Sequence, residues 1–435
     1  MADNKPRVLV ISSVDPYIGP GIVGLQHYNA LKKGGLDVDF LTKYPVKDHP
    51  EFISVYDKKP GRCRTFLDKA IRKLKKIILF DSIENVAPGY CFFYKKESHP
   101  QVPVARVVDV VKKEYDVVYI LFWQGLLSFA TINALYDKLK CQFQFRCVDY
   151  SPMAGGCHFT GDCKQFRTGC GCCPGIKSHK ESDFTRWNVR YRQKVYEKVK
   201  PVVYGNSYMN TFYRKSYLLK DYDRLEVVCP LMDNDVFQPL DMATCRSQNN
   251  IPKEKEFIIF FGCQGLNDKR KGVSFLLEAL NVYYNRLTVS EREKVLLVIA
   301  GRGIEEIQDS LKFDYKYLGY VSLSELPSIY SMSNVYLSPT VNDAGPSMVN
   351  QSLSCGTPVV AFEMGTALDV VKNHGTGYCA ELRNVEDFAN GIEHIFRMER
   401  KDYIEMRDKC RELALSLTSE KAFVEKFINT YKKYK

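Results

Sequence analysis

The sequence predicts an α/β protein of two doubly wound, Rossmann-like domains. Three observations carry that expectation. Short apolar runs alternate with helical patterns along the chain, the mark of parallel sheets with crossover helices. The length of 435 residues exceeds one ordinary hydrophobic core and suits two domains of about 200 residues each. Around 228–241 the chain follows neither period, reading Cys-Pro-Leu-Met-Asp and then Gln-Pro-Leu-Asp, which marks a joint.

In the first half the expected strands are Val8–Ser13, Val38–Thr42, Val117–Phe122, Phe143–Val148 and Val202–Ser207. In the second half they are Phe257–Gly262, Val295–Gly301, Tyr315–Tyr320, Val335–Pro339 and Val359–Glu363. The expected domains are 1–228 and 229–417, followed by a terminal helix over 418–435 with Ala422, Phe423, Phe427, Ile428 and Tyr431 at helical spacing. Ligands of doubly wound folds sit beyond the strands' carboxyl ends, so two such domains facing each other predict a central binding cleft. Forty-five per cent hydrophobic residues argue for a packed globular chain, and no internal repeat is visible. No apolar run approaches the roughly 18 residues that span a bilayer. Val8-Leu9-Val10-Ile11 is too short for a signal peptide and reads as a first strand, so a cytoplasmic protein is expected. Fifteen cysteines, an odd number, then read as free thiols or metal ligands rather than a disulfide framework. The net charge of +11 favours anionic partners without choosing among them.

The most informative stretch is Val335–Phe362, VYLSPTVNDAGPSMVNQSLSCGTPVVAF, read as strand, loop, short helix and strand. Gly345-Pro346 offers a close-approach glycine and a proline suited to the helix start. First-turn amides from Ser347 and Met348 onward lack intrahelical partners and can bind phosphate, helped by the helix dipole. Gly356 ends the helix and Pro358 prevents its continuation.

These lines resemble the donor-site signature of retaining GT-B glycosyltransferases, specifically glycosyltransferase family four, whose pattern is Glu-x7-Glu followed by Cys-Gly-Thr-Pro-Val-Val. Here the pair is Asp343 and Gln351, at the same spacing. The resemblance implies that Asp343 holds donor-sugar hydroxyls and Gln351 the nucleotide ribose. Replacing the second acid by its amide removes charge-assisted strength of about 1–2 kcal/mol. The GT-B fold and the terminal helix returning to the N-terminal domain are implied by the same resemblance. The reading it competes with is an ordinary strand–helix–strand crossover.

Other turns fit the same expectation. Gly19-Pro20-Gly21 opens a helix after the first strand, where the family carries a glycine loop beside acceptor and donor phosphates; glycines kept for packing alone are the alternative. After Phe261-Gly262 come three adjacent cations, Lys269-Arg270-Lys271, then Gly272 and a helix from Val273 to Tyr284. Cations before a helix N-terminus oppose the dipole preference, so an anion is expected to offset them. The resemblance implies that Lys271, with Arg270 in the arginine role, neutralises the leaving diphosphate; a solvated basic loop is the alternative. Gly303 and Thr366 lie in two supporting turns after strands. The family's catalytic-side histidine has no match where Phe122 and Val148 stand, leaving Asp149 as the acceptor-side candidate.

The insert Asp149–Ile176 spaces Cys157, Cys163, Cys170 and Cys173 as Cys-x5-Cys-x6-Cys-x2-Cys, with His158 and Cys172 besides. Its final Cys-x2-Cys suits a tetrahedral thiolate zinc, which would order a glycine-rich loop poor in apolar residues. Free thiols and disulfides remain open. A very similar insert occurs in a bacterial, surface-polysaccharide-building subgroup of the family. From Lys58 to Lys76 nine basic residues face one acid, Asp68, and Leu67, Ala70, Ile71, Leu74, Ile77 and Ile78 share a helical face. Peripheral contact of 58–80 with anionic lipid and a surface helix packed on its own domain are both open.

Together these readings predict transfer of a sugar from a UDP- or GDP-sugar to a glycan or lipid-linked glycan, with retention as the family does. Positioning and diphosphate stabilisation would carry catalysis, with no catalytic metal required. The alternatives are a non-catalytic homologue, a GT-B epimerase or phosphorylase, and a zinc-containing RNA-binding protein. The last leaves Asp343–Pro358 unexplained, and no nucleic-acid partner is expected.

Overall fold

The computed structural model describes residues 5–19, 21–59, 86–92, 95–146 and 149–435. Pro20, Val148 and the body of the expected basic helix, residues 60–85, lie outside the described residues. The chain divides into two compact units. The first comprises Met1–Gly205, Met209–Val228 and Val424–Lys435; the second comprises Asn206–Tyr208 and Cys229–Phe423.

Each unit is built on one parallel sheet. In the first, β1 (Arg7–Ser12), β2 (Asp37–Thr42), β3 (Ile53–Ser54), β4 (Val117–Phe122), β5 (Gln142–Arg146), β6 (Val202–Gly205) and β7 (Leu225–Val227) lie in the order β3-β2-β1-β4-β5-β6-β7. In the second, β8 (Phe257–Gly265), β9 (Val295–Arg302), β10 (Tyr315–Gly319), β11 (Val335–Ser338), β12 (Val359–Phe362) and β13 (Gly377–Ala380) lie in the order β10-β9-β8-β11-β12-β13. These are doubly wound sheets whose order reverses between β1 and β4, and between β8 and β11. Runs such as Val-Val-Tyr-Ile-Leu-Phe in β4 are buried at every position, as strands covered on both faces by helices must be.

Several strands end where the local chemistry changes. The expected strand to Ser207 stops at Gly205, and Asn206 already belongs to the second unit. β8 and β9 run further than their apolar cores, pairing as far as Gly265 and Arg302. The C-terminal helix Glu420–Tyr434 lays Phe427 edge-on to Tyr119 of β4, with ring centres 5.3 Å apart. Lys426 and Lys433 each meet Glu226 of β7 at 2.7 Å. Among the described residues no helix is long and apolar enough to cross a membrane.

Candidate functional site

The loops leaving β8 and β11 straddle the switch point of the second unit, and they are zipped together. The amides of Val341 and Asn342 both donate to the Arg270 carbonyl, at 2.9 and 3.3 Å. Lys271 Nζ lies 2.5 Å from Asp343 Oδ2. Gly272, at φ +69°, makes this approach possible: a Cβ there would stand 1.9 Å from the Pro339 carbonyl oxygen. The Lys-Gly pair therefore has two physical reasons, a charge and a backbone contact that no side chain permits.

The three adjacent cations form a short 3-10 turn, Lys269–Lys271, in which the Asp268 side chain accepts from the Arg270 amide. The sequence leads one to expect an external anion to offset them, but two are matched within the protein. Arg270 pairs with Asp268 at 2.6 Å and Lys271 with Asp343. Burial pushes the Asp343 carboxyl up, but the Lys271 charge and hydrogen bond, the Gly345 amide and Arg270 outweigh it. The carboxyl is held below its ordinary value and stays ionised.

Asp343 also accepts from the Gly345 amide at 3.2 Å, which fixes the turn into the helix Ser347–Ser354. Pro346 caps that helix without a side-chain hydrogen bond. The amides of Ser347 and Met348 consequently have no intrahelical acceptor. Gly345 (φ +159°) sits between Asn206 and Thr366, and Gly365 (φ +59°) lies under the Pro346 ring. Asn206 Nδ2 donates to the Ala344 carbonyl at 2.5 Å, and Asn350 Nδ2 to Thr366 Oγ1 at 3.4 Å. Asn350 Oδ1 is buried without a hydrogen-bond partner.

Gln351 is buried, and its Oε1 accepts from the Tyr330 hydroxyl at 3.1 Å. A neutral amide suits this partner, and Nε2 and one lone pair of Oε1 remain for further hydrogen bonds. Gly303 (φ +92°) closes β9 beside Glu306, which also accepts from Asn267 at 3.0 Å. Thus Arg270, Lys271, Asp343 and the first turn of Ser347–Ser354 meet at one switch point, with Gly303 one strand away.

In the first unit the turn after β1 contains Gly19, open and left-handed at φ +49°, and Gly21. A Cβ on Gly21 would stand 1.9 Å from the Asp15 carbonyl oxygen, so packing alone requires that glycine. Asp149, beyond the end of β5, is buried. It accepts from Gln124 Nε2 at 2.9 Å and from the Ser151 amide at 2.7 Å, and lies 2.7 Å from His158 Nδ1. His158 was only an extra in the cysteine spacing; its pairing with Asp149 depends on a loop fold that spacing does not encode.

Cys157, Cys163, Cys170 and Cys173 line one small cavity with Tyr90, Phe92 and Phe166. Every described cysteine is a free thiol. Burial raises these thiols, Cys170 to about 12 and Cys173 to about 11. Among the described residues no group of three or more His, Cys, Asp or Glu side chains is arranged to hold a metal ion. The donors suit zinc and share a cavity, while their side chains are not drawn into coordination. The loop is also ordered by other means than a metal. Arg192, paired with Glu97, donates to the Ser151 and Ala154 carbonyls, and Asp183 accepts from the Cys173 amide at 3.0 Å.

Comparison with known proteins gives this geometry a context. Residues 241–415 match the family of glycosyl transferases group 1. That match falls within the second unit. An uncharacterized glycosyltransferase of Methanocaldococcus jannaschii is 24% identical over 157 residues, 34% of this chain and 38% of the relative. A D-inositol 3-phosphate glycosyltransferase of Mycobacterium tuberculosis is 23% identical over 180 residues, 41% of this chain and 37% of the relative. The chain thus spans under two-fifths of the length of these curated relatives. Among solved structures, sucrose-phosphate synthase from Thermosynechococcus elongatus matches with TM-score 0.63 at 17% identity, covering 99% of both chains. Anabaena HepE in complex with UDP-glucose matches with TM-score 0.62 at 13% identity, covering 98% of this chain and 100% of that one. The fold these structures share with the chain is GT-B, two Rossmann-like parallel-sheet domains.

Proposed function

We propose that the chain transfers a sugar from a UDP- or GDP-sugar to a glycan or lipid-linked glycan in surface polysaccharide biosynthesis, as a retaining member of glycosyltransferase family four. The observation that carries this reading is the Lys271–Asp343 pair at 2.5 Å, beside unpartnered helix amides at the switch point of the matched domain. A cation and a helix N-terminus suit a diphosphate leaving group, and a carboxylate beside them suits sugar hydroxyls. Lys271 and Arg270 would stabilise charge as the diphosphate departs, while Asp343 and Gln351 orient sugar and ribose. Gly19, Gly21, Gly303, Ser347, Met348 and Thr366 would line the donor, and Asp149 would face the acceptor. In a same-face displacement the departing phosphate oxygen takes the acceptor proton, so no further base is required. The names of the relatives support glycosyl transfer, and the UDP-glucose complex of HepE supports the donor class.

The same proposal includes a structural zinc on Cys157, Cys163, Cys170 and Cys173, supported by their shared cavity. A cation there would hold the thiols as thiolates and cross-link the insert. Elemental analysis of protein purified without chelator should give one zinc per chain; none would remove this part. The protein would work in the cytoplasm, peripheral at the inner membrane face where a lipid-linked acceptor lies. Incubating it with a panel of nucleotide sugars and acceptor glycans, then reading the anomeric configuration of the product by NMR, tests the reaction. Retained configuration is expected. Hydrolysis-free binding with no transfer to any acceptor would favour a non-catalytic homologue.

A further inference from the structure

We propose that a groove at the amino edge of the first unit's sheet is a separate anion site that takes a ligand bearing phosphate groups. The groove has a volume of about 660 Å³, within the range of small-molecule sites. It is lined by the residues that start or precede the strands, among them Arg7 of β1, Asp116 before β4, Gln142 of β5, Lys200 before β6 and Arg224 before β7. Ligands of a doubly wound sheet normally sit beyond the opposite, carboxyl ends. The groove is therefore not the switch-point crevice of its own sheet.

Its lining holds seven Lys and Arg side chains against two carboxylates, Glu114 and Asp116. Part of that charge is satisfied locally. Arg7 meets Asp116 at 3.4 Å and Glu114 at 3.9 Å, while Lys140 and Lys198 share Asp137 at 2.9 and 2.7 Å. The helices Phe129–Leu139 and Phe184–Val199 also end here, and their carboxyl termini favour cations. An excess remains after these terms. Among the described residues Lys200, Arg224 and Lys435 have no carboxylate partner, and Arg224 is stacked 5.4 Å over the Tyr434 ring with one guanidinium nitrogen on the Lys200 carbonyl. That stacking orients a guanidinium that is still able to engage phosphate oxygens. Tyr136, Tyr431 and Tyr434 also line the groove and add hydroxyl groups.

Two of the lysines sit where glycine is the ordinary residue. Lys140 (φ +49°) and Lys200 (φ +47°) are left-handed caps of the two helices, each donating its amide back to the last turn. A lysine there strains the backbone in a way glycine avoids, and both strained positions deliver a charge to the same groove.

That placement also supplies a clean test. Inorganic pyrophosphate is titrated calorimetrically into the full chain carrying Lys271→Ala, which removes the other proposed diphosphate contact, with and without Lys140→Gly and Lys200→Gly. Glycine keeps the left-handed turns, so melting temperature should hold or rise, while affinity should fall about fivefold for each lysine removed. In parallel, sedimentation with phosphatidylcholine vesicles doped with phosphatidylglycerol reads lipid binding. Loss of pyrophosphate binding alone supports a soluble phosphate ligand at this site, and loss of vesicle binding alone supports a lipid headgroup. If the glycine variants bind both probes as the parent does, or the parent binds neither, the proposal is overturned.

Discussion

The two sheets share a strand order around their switch points, β2-β1-β4-β5-β6 in the first unit and β9-β8-β11-β12-β13 in the second, yet their carboxyl ends carry opposite chemistry. Beyond β8 and β11 stand a cation held by an acid and the open amides of a helix. Beyond β5 stands a buried carboxylate, Asp149, surrounded by an amide side chain, a backbone amide and a histidine. Topology supplies the place and the loops supply the charge. In the proposed reaction a diphosphate would meet the first arrangement and a hydroxyl-bearing acceptor the second.

The sharpest way to break the comparison is to remove its cation. Lys271→Ala should lower kcat by about a hundredfold or more, because its charge matters most as the leaving group gains negative charge; steady-state kinetics read this, and Asp149→Asn should leave donor affinity unchanged. Next in size is Gly272→Ala. With a Cβ 1.9 Å from the Pro339 carbonyl oxygen, the variant should lose about 2–3 kcal/mol of stability in denaturant unfolding.

A smaller effect separates the acids by pH. Asp343 titrates below its ordinary value in the fold, so its contribution is complete above about pH 4 and is lost as pH falls through the lower, folded value. Asp343→Asn should flatten that acid limb. Asp369 behaves oppositely: burial raises its carboxyl although Ser207 donates to it at 3.1 Å. Its effect on stability is therefore most favourable at low pH and declines as pH rises through the folded value. Smallest is Gln351→Glu. Tyr330 can donate to a carboxylate as well as to an amide, and under the proposed ribose role the added charge should tighten donor binding about fivefold, read as donor Kd.

Much of this was legible because buried parallel strands announce themselves as apolar runs, and because Gly-Pro and Gly-Thr-Pro punctuate a helix at both ends. What escaped were short edge strands such as β3, with two residues, and β7, with three, too brief to show a period. At the site the residue types were readable, but their pairing was not. Lys271 and Asp343 are 72 positions apart, and nothing local says that one loop's carbonyl accepts two amides of the other. The buried Glu97–Arg192 pair, which anchors the cysteine loop, joins residues 95 apart for the same reason. Local composition offers a metal as one way to order that loop, and it cannot show the long-range hydrogen bonds that also hold it.

The most direct measurement is a thermal-shift panel of UDP- and GDP-sugars on the parent chain, Lys271→Ala, Asp343→Ala and Asp149→Ala. The account predicts one donor that raises the melting temperature of the parent and of Asp149→Ala, and raises it little in the other two. If that donor stabilises Lys271→Ala and Asp343→Ala as much as the parent, the diphosphate does not bind at the β8–β11 switch point.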